Sequence, residues 1–180
     1  MNICIFCGSS TGTDVAYANA ARETGKLLAD AGHTLVYGGG NVGLMGIIAD
    51  SFLENGGKVI GVIPDFLLKR EVGHRGLTEL IVVNSMHERK KKMADLSDIF
   101  IALPGGWGTL DELAEILTWR QLGLIDQPIG LLNTDLFFSA LVSQMKIMAE
   151  KGFLPSANLN FLFVEKSPSK LLTMLGVVTV

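Results

Sequence analysis

Residues 99–112 read IFIALPGGWGTLDE, and this stretch decides the fold class. The unbroken apolar run at 99–103 is typical of a strand that is buried on both faces of a sheet. A proline and a glycine-rich turn follow at once, and a helical pattern begins at about residue 109. A buried strand that leads through such a turn into a helix indicates one unit of a parallel α/β sheet.

The same alternation of apolar strand and helix runs along the whole chain of 180 residues. It predicts an α/β, Rossmann-like fold in which helices cover both faces of a doubly wound parallel sheet, formed as a single domain over residues 1–180. Strands are predicted at 2–7, 33–37, 58–63, 79–83, 99–103, 129–132 and 160–164. Helices are predicted at about 14–31, 43–55, 86–96, 109–122, 135–151 and from about Pro168.

Composition argues against two classes of partner. A net charge of −3 does not suit a general nucleic-acid binder, and the basic cluster at 89–92 is too short to follow a phosphate backbone. Hydrophobic residues make up 48% of the chain, and the mean hydropathy is +0.39, yet no run of about 20 apolar residues suits a membrane span. The apolar excess therefore predicts a subunit interface. Because the first residues also lack the basic start of a signal peptide, we expect a cytoplasmic protein.

The two cysteines form a C-x-x-C motif, which is found in redox and metal sites. Here Cys4 and Cys7 fall within a predicted strand, where residues three apart face opposite sides of the sheet. Buried structural thiols are therefore favoured over a redox pair. The three histidines show no metal-ligand spacing, and no metal site is expected.

Three glycine-rich turns, at residues 8–12, 38–43 and 104–109, fall at predicted strand ends. Ligands of doubly wound sheets bind beyond the carboxyl ends of the strands, so the convergence of these turns predicts the binding site. The turn at 104–109 is the strongest phosphate candidate, because backbone N–H groups at the start of a helix attract anions. Thr109 is predicted to cap that helix and to offer its hydroxyl to a phosphate. The alternative is a tight turn that binds no ligand.

Gly38-x-Gly40-x-x-Gly43 matches the dinucleotide fingerprint, and Asp65 could supply the ribose-binding acid. That fingerprint normally occupies the first strand-to-helix turn, whereas this turn is the second. A close-packed turn that lines the same pocket is therefore favoured over NAD binding. The phosphate-binding motif of the P-loop nucleotide hydrolases is not present.

Arg89 is predicted to point into the protein. A capping box at 85–88 starts the helix that carries it, and Arg89 falls on the same stripe as Met86 and Met93. Positions 91 and 92 point to solvent instead. Because an inward guanidinium is costly without an anion, a phosphate or carboxylate partner is favoured over a side chain that reaches out to solvent.

Glu112 follows the phosphate-binding turn by one helical turn. One interpretation is a capping box with Thr109; the other is a carboxylate that acts on the ribose of a nucleotide. Glu115 lies one turn further on the same flank. Cleavage of a glycosidic bond passes through an oxocarbenium-like state, which nearby carboxylates stabilise.

Two motifs, MHERK at 86–90 and PGGWGTLDE at 104–112, together resemble the signature of the LOG (Lonely guy) family. The similarity runs from the turn at 7–10 through 37–46 to 130–133, and so covers most of the chain. LOG proteins are cytokinin riboside 5′-monophosphate phosphoribohydrolases, and bacterial members have been labelled possible lysine decarboxylases.

The resemblance implies a Rossmann-like homodimer that hydrolyses the N-glycosidic bond of adenine-type nucleoside 5′-monophosphates. N6-substituted cytokinin ribotides and AMP both remain open as substrates, with a free base and ribose 5-phosphate as products. No metal or organic cofactor is implied. Arg89 and Glu112 are the catalytic pair that the resemblance implies. It also implies substrate contacts at Glu71, Lys90, Gly106, Gly108, Thr109 and Thr118, to which the residue patterns add Gly105 and Glu115.

Two other functions are weighed against this one. A nucleotide or cofactor carrier of the same fold would keep the glycine turns but would not need Glu112 beside Arg89. A lysine decarboxylase would need a Schiff-base lysine and a partner for the pyridine nitrogen of pyridoxal phosphate. The lysines at 90–92 show no such arrangement.

Overall fold

A computed structural model describes residues 1–68 and 73–178, which build one seven-stranded parallel sheet with helices on both faces. The α/β, Rossmann-like prediction is confirmed. The strands are β1 (Asn2–Phe6), β2 (Thr34–Tyr37), β3 (Lys58–Pro64), β4 (Glu79–Val83), β5 (Ile99–Ala102), β6 (Ile129–Leu132) and β7 (Leu162–Glu165). The helices are α1 (Val15–Asp30), α2 (Gly43–Glu54), α3 (Asp65–Leu68), α4 (Met86–Asp95), α5 (Trp107–Gln121), α6 (Ser139–Glu150) and α7 (Pro168–Met174).

The strand order is β4-β3-β2-β1-β5-β6-β7, so the direction of winding reverses between β1 and β5. These two strands pair in parallel from Ile3 with Ile99 to Phe6 with Ala102. Their carboxyl ends therefore lie side by side at the point where the connecting helices diverge. This is the switch point at which doubly wound sheets bind ligands.

The apolar core has one layer on each face of the sheet. Residues of α1, α2 and α7 pack on one face, and residues of α4 and α5 pack on the other. Cys7 belongs to the first layer and Cys4 to the second, which confirms that the two thiols face opposite sides. Both are free and buried. Burial, and after it the negative charge of Glu112, raises the pKa of each thiol, so both stay protonated at neutral pH.

The structure differs from the sequence prediction mainly at element ends. The short helix α3 was not predicted, and residues 160–161 belong to a 3₁₀ segment, Ser156–Phe161, rather than to β7. Helix α6 begins at Ser139, because another short 3₁₀ turn, Thr134–Leu136, precedes it. Within the described residues, no helix has the length and apolar character needed to cross a membrane.

Candidate active site

A cavity of about 170 Å³ opens at the switch point, beyond the carboxyl ends of β1 and β5. The end of β1 and the turn after it, up to Ser9, form its floor, and Gly38 and Met45 line a second side. Met86 and Arg89 of α4 line it, as does the start of α5 from Gly106 to Glu112. The three glycine-rich turns therefore converge on one cavity, as predicted.

Helix α5 points its amino terminus at this cavity. Gly106 is its N-cap residue and, as a glycine, has no side chain with which to cap the helix. The first backbone bond within the helix runs from the amide of Leu110 to the carbonyl of Gly106. The amides before Leu110 therefore lack acceptors within the helix, and the helix dipole adds positive potential there. This is the geometry of an anion site.

The predicted cap role of Thr109 is wrong, and with it the capping box between Thr109 and Glu112. The helix begins at Trp107, so Thr109 lies within its first turn, almost fully buried. Its hydroxyl packs against Gly105, where an added Cβ would lie 2.1 Å from Thr109 Oγ1. The glycine-rich backbone, rather than a capping side chain, brings the chain into the helix here.

Helix α2 also starts beside this cavity, but carbonyl oxygens of the protein already accept from the amides at its amino terminus. The amides of Leu44 and Met45 both donate to the carbonyl of Gly8, at 3.0 and 3.4 Å. An added Cβ on Gly43 would lie 2.3 Å from the backbone of Ser9 and Ser10, so this turn is closed by packing. The amides that would bind a dinucleotide pyrophosphate are used within the protein, and the turn instead contributes Gly38 and Met45 to the cavity wall.

Arg89 is buried, with 6% of its surface exposed, as the helical stripe predicts. Backbone carbonyls orient its guanidinium: Nε donates to Val62 at 3.1 Å and Nη2 donates to Gly38 at 2.9 Å. Nη1 lies 3.8 Å from the sulfur of Met86. All three acceptors are neutral. The guanidinium thus brings a positive charge, fixed in place by these contacts, to the cavity wall, which favours an anionic ligand.

The α4 capping box is confirmed in part. The hydroxyl of Ser85 accepts a hydrogen bond from the amide of Glu88 at 3.1 Å. The carboxylate of Glu88 reaches back to the amide of Asn84 at 2.8 Å, one residue earlier than the usual pattern. The start of α4, and so the position of Arg89, is fixed by these bonds.

Glu112 is half-buried and lines the cavity from α5. Its negative charge contributes to the raised pKa of both Cys4 and Cys7, whose main cause is burial. The positive charge of Arg89 acts on Cys4 as well. The predicted catalytic pair therefore lines the same cavity, one residue from α4 and one from α5.

The ammonium of Lys90 lies between two carboxylates of α5, which the sequence did not predict. Its Nζ lies 3.1 Å from Asp111 Oδ2 and 3.2 Å from Glu115 Oε2, with only 12% of the Lys90 side chain exposed. The cavity is lined by Arg89 and Asp111 but, among the residues described, not by Lys90 or Glu115. These two predicted substrate contacts are therefore paired with each other beside the cavity. These ion pairs depend on how α4 packs against α5, and no local sequence pattern predicts that packing.

The other predicted site residues divide into three groups. Gly106, Gly108 and Thr109 line the cavity, and Gly105 packs beneath Thr109. Thr118 lies further along α5, where its hydroxyl donates to the carbonyl of Ala114, and it lines a different groove. Glu71 lies outside the described residues.

Trp107 lines the cavity with 88% of its surface exposed, and the sequence reasoning did not select it. It stands between the two glycines at 106 and 108, in the middle of the phosphate-turn motif. The available signal was its large aromatic side chain in a turn otherwise made of small residues. Such a side chain has no core to join there.

A switch-point cavity with an open helix amino terminus and a buried arginine is typical of doubly wound α/β proteins that bind phosphorylated ligands. The chain belongs to the family described as "Possible lysine decarboxylase", whose model matches residues 45–175. This is the description that the sequence resemblance associates with bacterial LOG proteins.

Relatives with a named activity are close in sequence. The chain is 49% identical over 152 residues to cytokinin riboside 5′-monophosphate phosphoribohydrolase LOG1 of Arabidopsis thaliana, which covers 84% of this chain and 71% of that protein. It is 44% identical over 173 residues to the probable cytokinin riboside 5′-monophosphate phosphoribohydrolase LOGL2 of Oryza sativa, covering 96% of this chain and 71% of the relative.

Solved structures share the fold at lower identity. The molybdenum cofactor binding protein of Rippkaea orientalis superposes with a TM-score of 0.72 at 24% identity, covering 97% of this chain and 94% of that one. The Moco carrier protein of Chlamydomonas reinhardtii gives 0.72 at 22% identity with the same coverage. At this identity the likeness concerns the fold alone.

Proposed function

We propose that this chain is a hydrolase of adenine-type nucleoside 5′-monophosphates, cytokinin ribotides and AMP among them, that releases the free base and ribose 5-phosphate. The family and the named activity of its relatives support this function. The observation that carries it is the cavity that the start of α5, the buried Arg89 and Glu112 all line.

The phosphate is proposed to bind at the start of α5. The amides of Gly108 and Thr109 and the helix dipole supply donors and positive potential, and the Arg89 guanidinium adds a full charge. Gly106 leaves this position free of a side chain, and Gly105 allows Thr109 to pack closely, since an added Cβ on Gly105 would lie 2.1 Å from Thr109 Oγ1. The 5′-phosphate thereby fixes the ribose beside Glu112.

The reaction adds one water molecule across the C1′–N bond. The water oxygen bonds to C1′, the bonding electron pair leaves with the base nitrogen, and a proton from water ends on the base. Because positive charge builds up at C1′ before the water arrives, the Glu112 carboxylate stabilises that charge or orients the water. Arg89 acts through the phosphate and keeps the nucleotide in place.

At about 170 Å³ the cavity is smaller than a typical small-molecule pocket of roughly 300–1,000 Å³. It suits the phosphate and ribose, and the base is proposed to extend to the mouth, beside Trp107 and Met86. An aromatic platform at the mouth favours a planar base and tolerates substituents on it. This arrangement leaves AMP and N6-substituted ribotides both acceptable.

A homodimer is proposed to cover a second, larger groove. This groove, of about 650 Å³, lies between α5, α6 and the segment at 153–162, and apolar side chains dominate its lining. At its edge Phe153 has 86% of its surface exposed, and Asn158 Nδ2 is buried without an acceptor among the described residues. A second copy would bury this surface, in keeping with the apolar composition. Thr118 lies in the groove, so its predicted substrate contact would depend on this assembly.

The decisive experiment incubates the purified protein with AMP, isopentenyladenosine monophosphate and adenosine, and measures free base by chromatography. Base release from the monophosphates, with at least about 100-fold less from adenosine, is expected, because the phosphate anchors the substrate. Glu112→Gln removes the charge at constant size and should lower kcat by about 100-fold or more. Glu150→Gln, on the exposed end of α6, is the matched control.

The outcomes separate the alternatives. Binding of AMP without release of base would overturn the hydrolase proposal and leave a carrier protein. Equal activity of Glu112→Gln and the control would remove Glu112 from the mechanism. Lysine decarboxylation is tested in the same preparation by cadaverine formation with added pyridoxal phosphate, which we expect to be absent. The ratio of rates for the two nucleotides identifies the preferred substrate. The cytoplasmic location of the protein stays a prediction.

A further inference from the structure

Lys90 joins α4 and α5, the two helices that bring Arg89 and Glu112 to the cavity. Helix α4 carries Arg89 and follows β4, whereas α5 carries Glu112 and follows β5. Lys90 is next to Arg89 in sequence, and Asp111 is next to Glu112. The Lys90 ammonium is within 3.2 Å of carboxylates on two successive turns of α5, at positions 111 and 115.

The ion pair of Lys90 with Glu115 differs from an ordinary surface pair, because only 12% of the Lys90 side chain and 24% of the Glu115 side chain are exposed. The second carboxylate, Asp111, has 59% of its side chain exposed. Burial alone lowers the pKa of Lys90, but hydrogen bonds to Asp111 and Glu115 and their negative charge outweigh it, so the pKa is raised. The ammonium is therefore charged across the whole neutral range.

Lys91, the next residue, provides a contrast on the same helix. It pairs with Asp95 one turn along α4, and 64% of its side chain is exposed. That pair lies within one helix and connects nothing else, and exposed pairs of this kind contribute little. The two adjacent lysines thus each form an ion pair with a carboxylate. The pair of Lys91 lies within α4, whereas the pairs of Lys90 connect α4 to α5.

We propose that Lys90, Asp111 and Glu115 form an inter-helix clamp that sets the spacing between Arg89 and Glu112, so that Lys90 acts as a positioning residue. The inference rests on the proposed hydrolase function. Its geometric basis is that Lys90 holds α5 through residues on either side of Glu112, while its own neighbour, Arg89, lines the same cavity as Glu112. A shift of about 1 Å between catalytic groups can lower a rate about 100-fold, which is what the clamp prevents.

The test compares kcat and KM for AMP in five variants. Lys90→Met removes both ion pairs and Glu115→Gln removes the charge of the more buried one, and neither residue lines the cavity. Each variant should lower kcat by about 10- to 100-fold with KM changed less than about 3-fold. The exchanged pair Lys90→Glu with Glu115→Lys should recover about 10-fold in kcat over Lys90→Glu alone. Lys91→Met is the matched control and should behave as wild type.

A higher KM at unchanged kcat in Lys90→Met would overturn the proposal, because it would show that Lys90 binds substrate directly. So would normal kcat in Glu115→Gln, or no recovery in the exchanged pair. A wild type that releases no base would instead overturn the proposed function. The clamp is then decided by a double-mutant cycle on the free energy of unfolding with Lys90→Met and Glu115→Gln, where coupling indistinguishable from zero overturns it.

Discussion

Arg89 is held by main-chain carbonyls, and the main chain can approach it only because residue 38 has no side chain. An added Cβ on Gly38 would lie 1.9 Å from Arg89 Nη2. Since that atom is the far end of a flexible side chain, the arginine can move away without disturbing the backbone. Gly38 is therefore needed for the position of the Arg89 guanidinium and not for the stability of the fold.

Gly38→Ala is therefore expected to fold normally and to lose activity. The displaced guanidinium leaves the phosphate poorly held, so kcat/KM for AMP should fall by about 100-fold, while the free energy of unfolding changes by less than about 1 kcal/mol. Steady-state kinetics and urea denaturation measure the two effects.

The control is the double variant Gly38→Ala with Arg89→Ala. If Gly38 acts only through the arginine, the double variant is no slower than Arg89→Ala alone, because effects on one unit are not additive. Additive losses would show that Gly38 has a second role at the cavity.

Cys7 lies on the cavity floor but is not available as a nucleophile, since burial and then the charge of Glu112 raise its pKa above the ordinary 9.0. This raised pKa makes the folded protein less stable at high pH. Below pH 9 both folded and unfolded states keep the proton; above it the unfolded thiol ionises first, so folding loses free energy as the pH rises.

Stability should fall between about pH 9 and 10.5 by up to about 1.4 kcal/mol per pH unit for each thiol. Cys7→Ala should remove the part of this slope that Cys7 contributes and leave the part from Cys4. Urea denaturation at several pH values measures both slopes. Identical slopes in the variant and the wild type would contradict the buried, neutral state of Cys7.

At the scale of elements, the two helix amino termini beside the cavity differ in what they bind. The carbonyl of Gly8 accepts from the amides at the start of α2, whereas the N-cap residue of α5 is Gly106, which has no side chain to cap the helix. An uncapped terminus forgoes stability that an aspartate or asparagine would provide. This loss of stability is expected of a ligand site.

Gly106→Asp should accordingly stabilise the protein and inactivate it. The position has φ of −98°, and an added Cβ meets nothing within 4 Å, so a side chain fits. A capping carboxylate should add a few tenths of a kcal/mol to the free energy of unfolding while repelling the phosphate, so KM for AMP rises about 100-fold or more.

Gly106→Asn separates the two effects, because it can cap the helix without a negative charge. It should keep the gain in stability and raise KM much less than the aspartate does. Thermal unfolding and steady-state kinetics on the two variants read out the difference. Equal KM values in both would argue that the phosphate binds elsewhere.

Elements were predictable where their signal is local. The apolar runs of β4 and β6 match the structure at both ends, and the inward direction of Arg89 followed from helical periodicity alone. The start of α5 was misplaced because a capping residue, Thr109, was taken as the signal, whereas glycines form this start. The pairing of Lys90 with Asp111 joins residues 21 positions apart, so it depends on how two helices pack.

At the scale of the whole molecule, the apolar groove beside α5 offers more exposed hydrophobic surface than the active-site cavity. Phe153 marks its edge, and α5 runs from the cavity at its start to the groove along its length. A subunit that packs into the groove would therefore contact the same helix that carries Glu112. Association and activity are expected to be linked through α5.

Phe153→Asp should weaken the proposed homodimer, because it places a charge in a surface that association would bury. Sedimentation velocity at micromolar concentration should show a dimer for the wild type and a monomer of 19.3 kDa for the variant. Phe66→Asp is the matched control, since Phe66 is also an exposed phenylalanine but lies outside the groove. A wild type that sediments as a monomer, or a control that dissociates equally, would contradict this interface; loss of base release on dissociation would show that the cavity needs the second subunit.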